Sequence, residues 1–154
     1  MKKKLVAFLL MLVLAISVTS LNALADNDGL SSYASPTLIP ISSFKIVSPD
    51  NPDNYVTINV SSDYVGFNGI TTGLKVRACQ SYTDICGGNS GGVDGIWGIN
   101  SETGLRQAQQ VLHDYGYTAV TSDGVCGPNT WRGFYSYCNG VPGSVQSDVW
   151  ENIN

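Results

Sequence analysis

The chain has 154 residues, with eight Lys and Arg against twelve Asp and Glu and one histidine, for a formal charge of −4 at pH 7. That balance argues against a nucleic-acid partner, because phosphates are held by clustered Lys and Arg. One imidazole also leaves little material for a zinc centre with about three protein ligands, or for a Ser or Cys nucleophile that needs a positioned base.

The N-terminus carries Lys2, Lys3 and Lys4, an apolar run from Leu5 to Val18, and Ala23-Leu24-Ala25 before Asp26. This is the layout of a secretory signal peptide with an A-x-A cleavage site, and the run is shorter than the ~20 residues of a spanning helix. Residues 1–25 are therefore set apart from the fold, and no membrane contact is expected after cleavage. Without those three lysines, five basic residues face twelve acidic ones, a formal charge of −7. Export would place Cys79, Cys86, Cys126 and Cys138 in an oxidising compartment, where four cysteines in a small domain read as two disulfides. No C-x-x-C pair supports a metal site.

Residues 26–43 are rich in Ser, Asn and Pro and read as a flexible leader. Residues 44–69 form a small β-hairpin or irregular extension: "FKIV" and "YVTINV" are β-prone, Val56, Ile58 and Val60 alternate with Tyr55, Thr57 and Asn59, and "SPDNPDN" between them is made of turn formers. A hairpin alone is marginal in water, so it has to lie against something.

The C-terminal half repeats itself at an offset of 29 residues. "VDGIWGINSE" from Val93 returns as "SDGVCGPNTW" from Ser122, and the shift also carries Gln80 to Gln109, Gly87 to Gly116 and Gly104 to Gly133. So long a self-match points to a repeated supersecondary unit. Ser101 and Thr130 are placed to cap helices. Leu105, Ala108, Leu112 and Tyr115 then fall on one helical face, with Gly116 at a C-terminal position that favours a left-handed backbone. One unit earlier the set is Val76, Cys79, Thr83 and Cys86 with Gly87; one unit later it is Trp131, Phe134 and Cys138. Between helices, Asp-Gly makes a tight turn, and Ile96-Trp97 and Val125-Cys126 are expected to plug the core. On a helix Cys79 and Cys86 lie ~10 Å apart along the axis, too far for a disulfide. Each would then join Cys126 or Cys138, in one of two arrangements worth ~2–4 kcal/mol per bond.

The stretches "GGVDGIWGINS" and "SDGVCGPNTW", with "GL", "AQ" and "GY" between them, resemble the peptidoglycan-binding domain of bacterial wall hydrolases, a three-helix module with a doubled DGxxGPxT turn. The resemblance covers residues 70–138; Ile99 stands where the family has proline, Ser101 where it has threonine, and cysteines replace aliphatic residues at 79, 86 and 126. It implies a mainly α fold, a three-helix, peptidoglycan-binding-domain-like bundle, to which the cysteines would add disulfide staples; residues 139–154 beyond it read as a tail that either docks through Val149 and Trp150 or stays loose. It further implies a secreted or wall-associated bacterial protein that holds peptidoglycan without chemistry, needs no cofactor or metal, and has a wall hydrolase as partner.

Sugars and short peptides are gripped by aromatic faces and a few fixed polar groups. Tyr115, Tyr117, Trp131, Arg132 and Tyr135, with Tyr137 beside them, offer such groups near the second turn and last helix, though each aromatic is also a natural core filler. The rival reading as a small wall hydrolase needs paired carboxylates. Glu102, Asp94, Asp123 and Asp148 are available, but Glu102 suits a helix's first turn and both Asp-Gly pairs suit turns. His113 lies beside the apolar stripe, not on it. A third reading, an extracellular interaction or inhibitory module, rests on "YCNGVPG", where Asn139 interrupts the Cys-Gly spacing of a metalloproteinase propeptide switch.

Overall fold

A computed structural model describes residues 36–139 and 145–154, all within one unit spanning Ser35–Asn154. The signal peptide expected over residues 1–25, and the leader up to residue 35, lie outside the described residues.

Two strands, β1 (Ser43–Val47) and β2 (Tyr55–Asn59), pair antiparallel with Ser43 opposite Asn59 and Val47 opposite Tyr55. The expected turn is closed by Ser48 N–H donating to the Asn54 carbonyl at 2.9 Å and Asn54 N–H donating to that of Asn51 at 3.0 Å. Alternation sends Phe44, Ile46 and Ile58 inward. The hairpin rests on an aromatic floor from two helices: the Phe44 ring lies 6.2 Å from Tyr82, 6.1 Å from Trp131 and 5.2 Å from Tyr135.

Four helices follow: α1 (Leu74–Ile85), α2 (Ile99–Asp114), α3 (Pro128–Asn139) and α4 (Val145–Ile153). Their inner faces carry the expected stripes: Val76, Cys79, Thr83 and Cys86 on α1, Leu105, Ala108 and Leu112 on α2, and Trp131, Phe134 and Cys138 on α3 are all buried. Tyr115 departs from its stripe and stands 63% exposed at the end of α2. The first two helices end alike. Gly87 and Gly116 take positive φ, and the next N–H reaches back to Thr83 O at 2.9 Å and Leu112 O at 3.1 Å, a Schellman closure.

The expected three-helix, disulfide-stapled bundle is corrected in two respects. A fourth helix and a two-stranded sheet belong to the core: Val149, Trp150 and Ile153 of α4 are buried, α4 packs on α1 and β1, and Asn152 Nδ2 donates to Ser81 Oγ at 3.1 Å. Nine residues with three inward apolar side chains carry too short a period to be told from a tail. The second correction concerns sulfur. Cys79 lies beside Cys126 and Cys86 beside Cys138, but all four are free and buried, with a cysteine pair 3.5 Å apart against about 2.05 Å for an S–S bond. Burial pushes the Cys86 and Cys126 thiols up, so they pack as protonated, apolar side chains.

The leader is also more ordered than its composition suggests. Pro36–Ile41 runs as a strap over α3, turning at Pro40 where Ile41 N–H donates to Ile39 O at 2.9 Å, with Ile39 N–H donating to Ser136 Oγ at 2.8 Å and Arg132 Nε donating to Ile41 O at 3.3 Å. Segments before the helices pair with one another as isolated bridges, Val65 with Cys126 and Thr72 with Ile96.

Candidate functional site

The 29-residue repeat is visible atom by atom. Gln80 Nε2 donates to Asp94 Oδ1 at 2.9 Å, Ile96 O at 3.1 Å and Ser101 Oγ at 3.0 Å, and its Oε1 accepts from Gly95 N–H at 2.9 Å. Gln109 Nε2 donates to Asp123 Oδ1 at 2.9 Å, Val125 O at 3.0 Å and Thr130 Oγ1 at 3.0 Å, and its Oε1 accepts from Gly124 N–H at 2.9 Å. Each buried glutamine therefore ties one helix to the elbow that leads into the next. Gly95 and Gly124 sit at φ +77° and +74°, and a Cβ there would also come within 2.9 Å of Arg77 or Arg106, which lie across the elbows. The Gln80 amide, then the Ile96 N–H, hold the Asp94 carboxyl below the usual carboxylate range.

Ser101 and Thr130 are not caps. The N-cap of α2 is Gly98, with no side-chain cap bond, and Pro128 opens α3, a position proline suits because its missing N–H would have no helical partner. Both hydroxyls belong to the third residue of their helix and accept from the glutamines. The apolar plug is also halved: Trp97 and Cys126 are buried, whereas Ile96 is 62% exposed.

Sequence reading missed a third elbow. Gly66, Gly69 and Thr72 stand 29 residues before Gly95, Gly98 and Ser101, and their segment supplies both bridges, with Cys126 N–H donating to Val65 O at 2.9 Å and Trp97 N–H donating to Thr71 O at 2.8 Å. Asp63 was missed as well. Its carboxylate accepts from Lys75 Nζ at 2.6 Å and Asn59 N–H at 2.7 Å, while its carbonyl accepts from Trp131 Nε1 at 2.6 Å.

Between the loop after α1 and the outer face of α2 lies a cleft of about 270 Å³ lined by Asn89, Gly91, Asn100, Thr103 and Gln107. None of these residues is charged. The loop is fixed by Ser90, whose N–H donates to Asp84 Oδ1 at 2.7 Å, and by Asn89 Oδ1, which accepts from Gly91 N–H at 3.1 Å. It lies so close to α2 that a Cβ on Gly104 would fall 2.2 Å from Asn89 O. Asn100, Thr103 and Gln107, spaced i, i+3, i+7 on one helical face, are exposed and keep their side-chain donors and acceptors for solvent or a ligand.

The residues expected to bind ligand do not form one surface. Trp131 is fully buried and Tyr117 is 6% exposed. Tyr115 stacks on Tyr117 with ring centroids 6.1 Å apart and meets Tyr137 edge-on at 5.3 Å, presenting one aromatic face to solvent. Burial raises Tyr117 and pushes Tyr137 up to about 12. Arg132 and Tyr135 lie elsewhere, against Ile41 and Phe44.

The groups weighed for catalysis are engaged locally. Glu102 pairs with Arg106 at 2.7 Å, Asp94 and Asp123 sit in the glutamine networks, Asp148 is in the first turn of α4, and His113 Nδ1 lies 3.1 Å from Val120 O. Among the described residues, no group of three His, Cys, Asp or Glu is gathered as a metal site, and no helix is long and apolar enough to cross a membrane. No family model, curated protein or solved structure matches the chain.

Proposed function

We propose that this chain is an exported, non-catalytic module that holds bacterial peptidoglycan. The observation that carries the reading is the neutral, amide-rich cleft on α2, held by a rigid loop beside the first Gln-centred elbow. Peptidoglycan presents hydroxyls, N-acetyl groups and peptide amides, and uncharged side chains that both donate and accept match such a ligand. The likeness of residues 70–138 to the peptidoglycan-binding domain supports the same partner. Tyr115 offers an aromatic face at the other end of α2, while Trp131 and Tyr117 serve the frame.

Co-sedimentation with purified insoluble peptidoglycan, with and without wall teichoic acid, tests this directly, beside an assay for released sugars and peptides. Saturable pelleting is expected with both preparations and without release. Replacing Asn100 and Gln107 together by Ala should weaken pelleting roughly tenfold, the loss of one to two net hydrogen bonds. Failure to pellet, or release at catalytic rates, overturns the reading.

A further inference from the structure

The repeat relates the open cleft on α2 to a second groove on α3 that the protein fills with its own chain. A shift of 29 residues carries Thr103 to Arg132, Gln107 to Ser136, Gly104 to Gly133 and Gly87 to Gly116. All four second-copy positions meet the strap. Ser136 Oγ accepts from Ile39 N–H at 2.8 Å and Arg132 Nε donates to Ile41 O at 3.3 Å. A Cβ on Gly133 would lie 3.9 Å from Leu38, and one on Gly116 would lie 2.6 Å from Pro36. This groove therefore takes a polypeptide and reads its main chain with one acceptor and one donor, at the two ends of the tight Ile39–Ile41 turn.

The first-copy groove has a similar frame, walled by the Asn89–Ser90 main chain, and among the described residues no strap crosses it. Thr103 and Gln107 occupy the positions of Arg132 and Ser136, and both can donate and accept. Asn100 is free of intramolecular side-chain bonds, whereas its counterpart Asn129 is tied to Ala119 O at 2.9 Å. The linings also differ in character. Val120 and Leu112 crowd Gly133 under the apolar strap, but Gly91 replaces Val120 and the Asn89–Ser90 main chain replaces the aliphatic contacts. An occupant of the first groove would expose its amides and would carry small or uncharged polar side chains.

We infer that the α2 cleft is a peptide-binding groove, in which Thr103 and Gln107 take the main chain of an uncharged segment from another molecule in the way that Arg132 and Ser136 take residues 39 and 41. The inference rests on the wall-binding reading's own cleft but is argued from the internal repeat, and the two fail separately. A protein that pellets with peptidoglycan through its glycan satisfies that reading and fails this one, and binding of a free peptide without pelleting does the reverse.

Amide-resolved NMR titration of the full chain with an acetylated and amidated hexapeptide of alternating Ala and Ser tests it, beside a tetramer of N-acetylglucosamine. Peptide-dependent shifts are expected at residues 89–91, 100, 103 and 107, saturating at millimolar peptide, with the strap contacts at 132 and 136 unmoved. Gln107→Ala and Thr103→Val change exposed side chains, so their melting temperatures should equal the parent's. Each should weaken the peptide roughly five- to tenfold, about one net hydrogen bond. No shift at these residues, shifts with the sugar alone, or peptide affinity equal to the parent's in both variants overturns the proposal.

Discussion

At the scale of single residues the most consequential side chains are two buried amides. Replacing Gln109 by Ala removes two N–H donors, shared among Asp123 Oδ1, Val125 O and Thr130 Oγ1, and leaves the Gly124 N–H buried without its acceptor. A loss of about 2–4 kcal/mol is expected, read from the urea midpoint at unchanged m-value. Gln109→Glu should lose at least as much, because a carboxylate cannot donate to Asp123 Oδ1. The glutamines were legible as members of the repeat, but their task was not. A hydroxyl near a helix start looks the same in sequence whether it caps the helix or sits three residues inside it, and so Ser101 and Thr130 were read as caps. The cysteines make a similar point. Their types and helical spacing separated Cys79 from Cys86, yet bonding depends on sub-ångström approach that composition does not encode. Four thiols should titrate with a disulfide reagent in denaturant, and in the native protein they should react far more slowly, since all four are buried away from the reagent.

At the scale of elements, helix existence followed from apolar period and glycine placement, and the hairpin from alternation around a turn-forming run. What escaped lacks a period of its own. The strap Pro36–Ile41 is held through main-chain groups and two α3 side chains, which no pattern within "PTLIPI" announces. The third elbow escaped because Val65 stands where the other copies have Asp94 and Asp123, leaving only its glycines and Thr72 in step. Close approach of elements is a further property hidden from pattern. Gly104 lets the loop main chain lie on α2, and a Cβ there would meet Asn89 O at 2.2 Å. Gly104→Ala should therefore cost about 1–3 kcal/mol despite better helix propensity. It should also shift the amide resonances of residues 88–91, a signature that a purely local helix effect would lack.

At the scale of the whole molecule, the hairpin, helices and strap meet at few charged points, and Asp63 is the one that joins most of them. It binds β2 through the Asn59 N–H, α1 through Lys75, and α3 through the Trp131 indole. Asp63→Ala should lower stability by about 2–4 kcal/mol, because a carboxylate 5% exposed leaves a donor and an ammonium without their partner. Asp63→Asn keeps one acceptor and should lose less. Hydrogen exchange in the β1–β2 ladder reads the same change locally: its protection should fall more than that of the α2 interior, since the carboxylate ties the end of β2 to α1.

The pairing of Val65 with Cys126 and of Thr72 with Ile96 also limits how this architecture can grow. Open arrays lengthen by adding copies, because each unit touches only its neighbours. Here the earliest elbow contacts both later ones, so the set closes on itself at three. A fourth 29-residue unit spliced into the series would have to part Val65 from Cys126 and break the two main-chain bonds between them, at 2.9 and 3.2 Å. Variation in size is thereby pushed outward, to the turn of the hairpin and the segments beyond the last helix-forming copy.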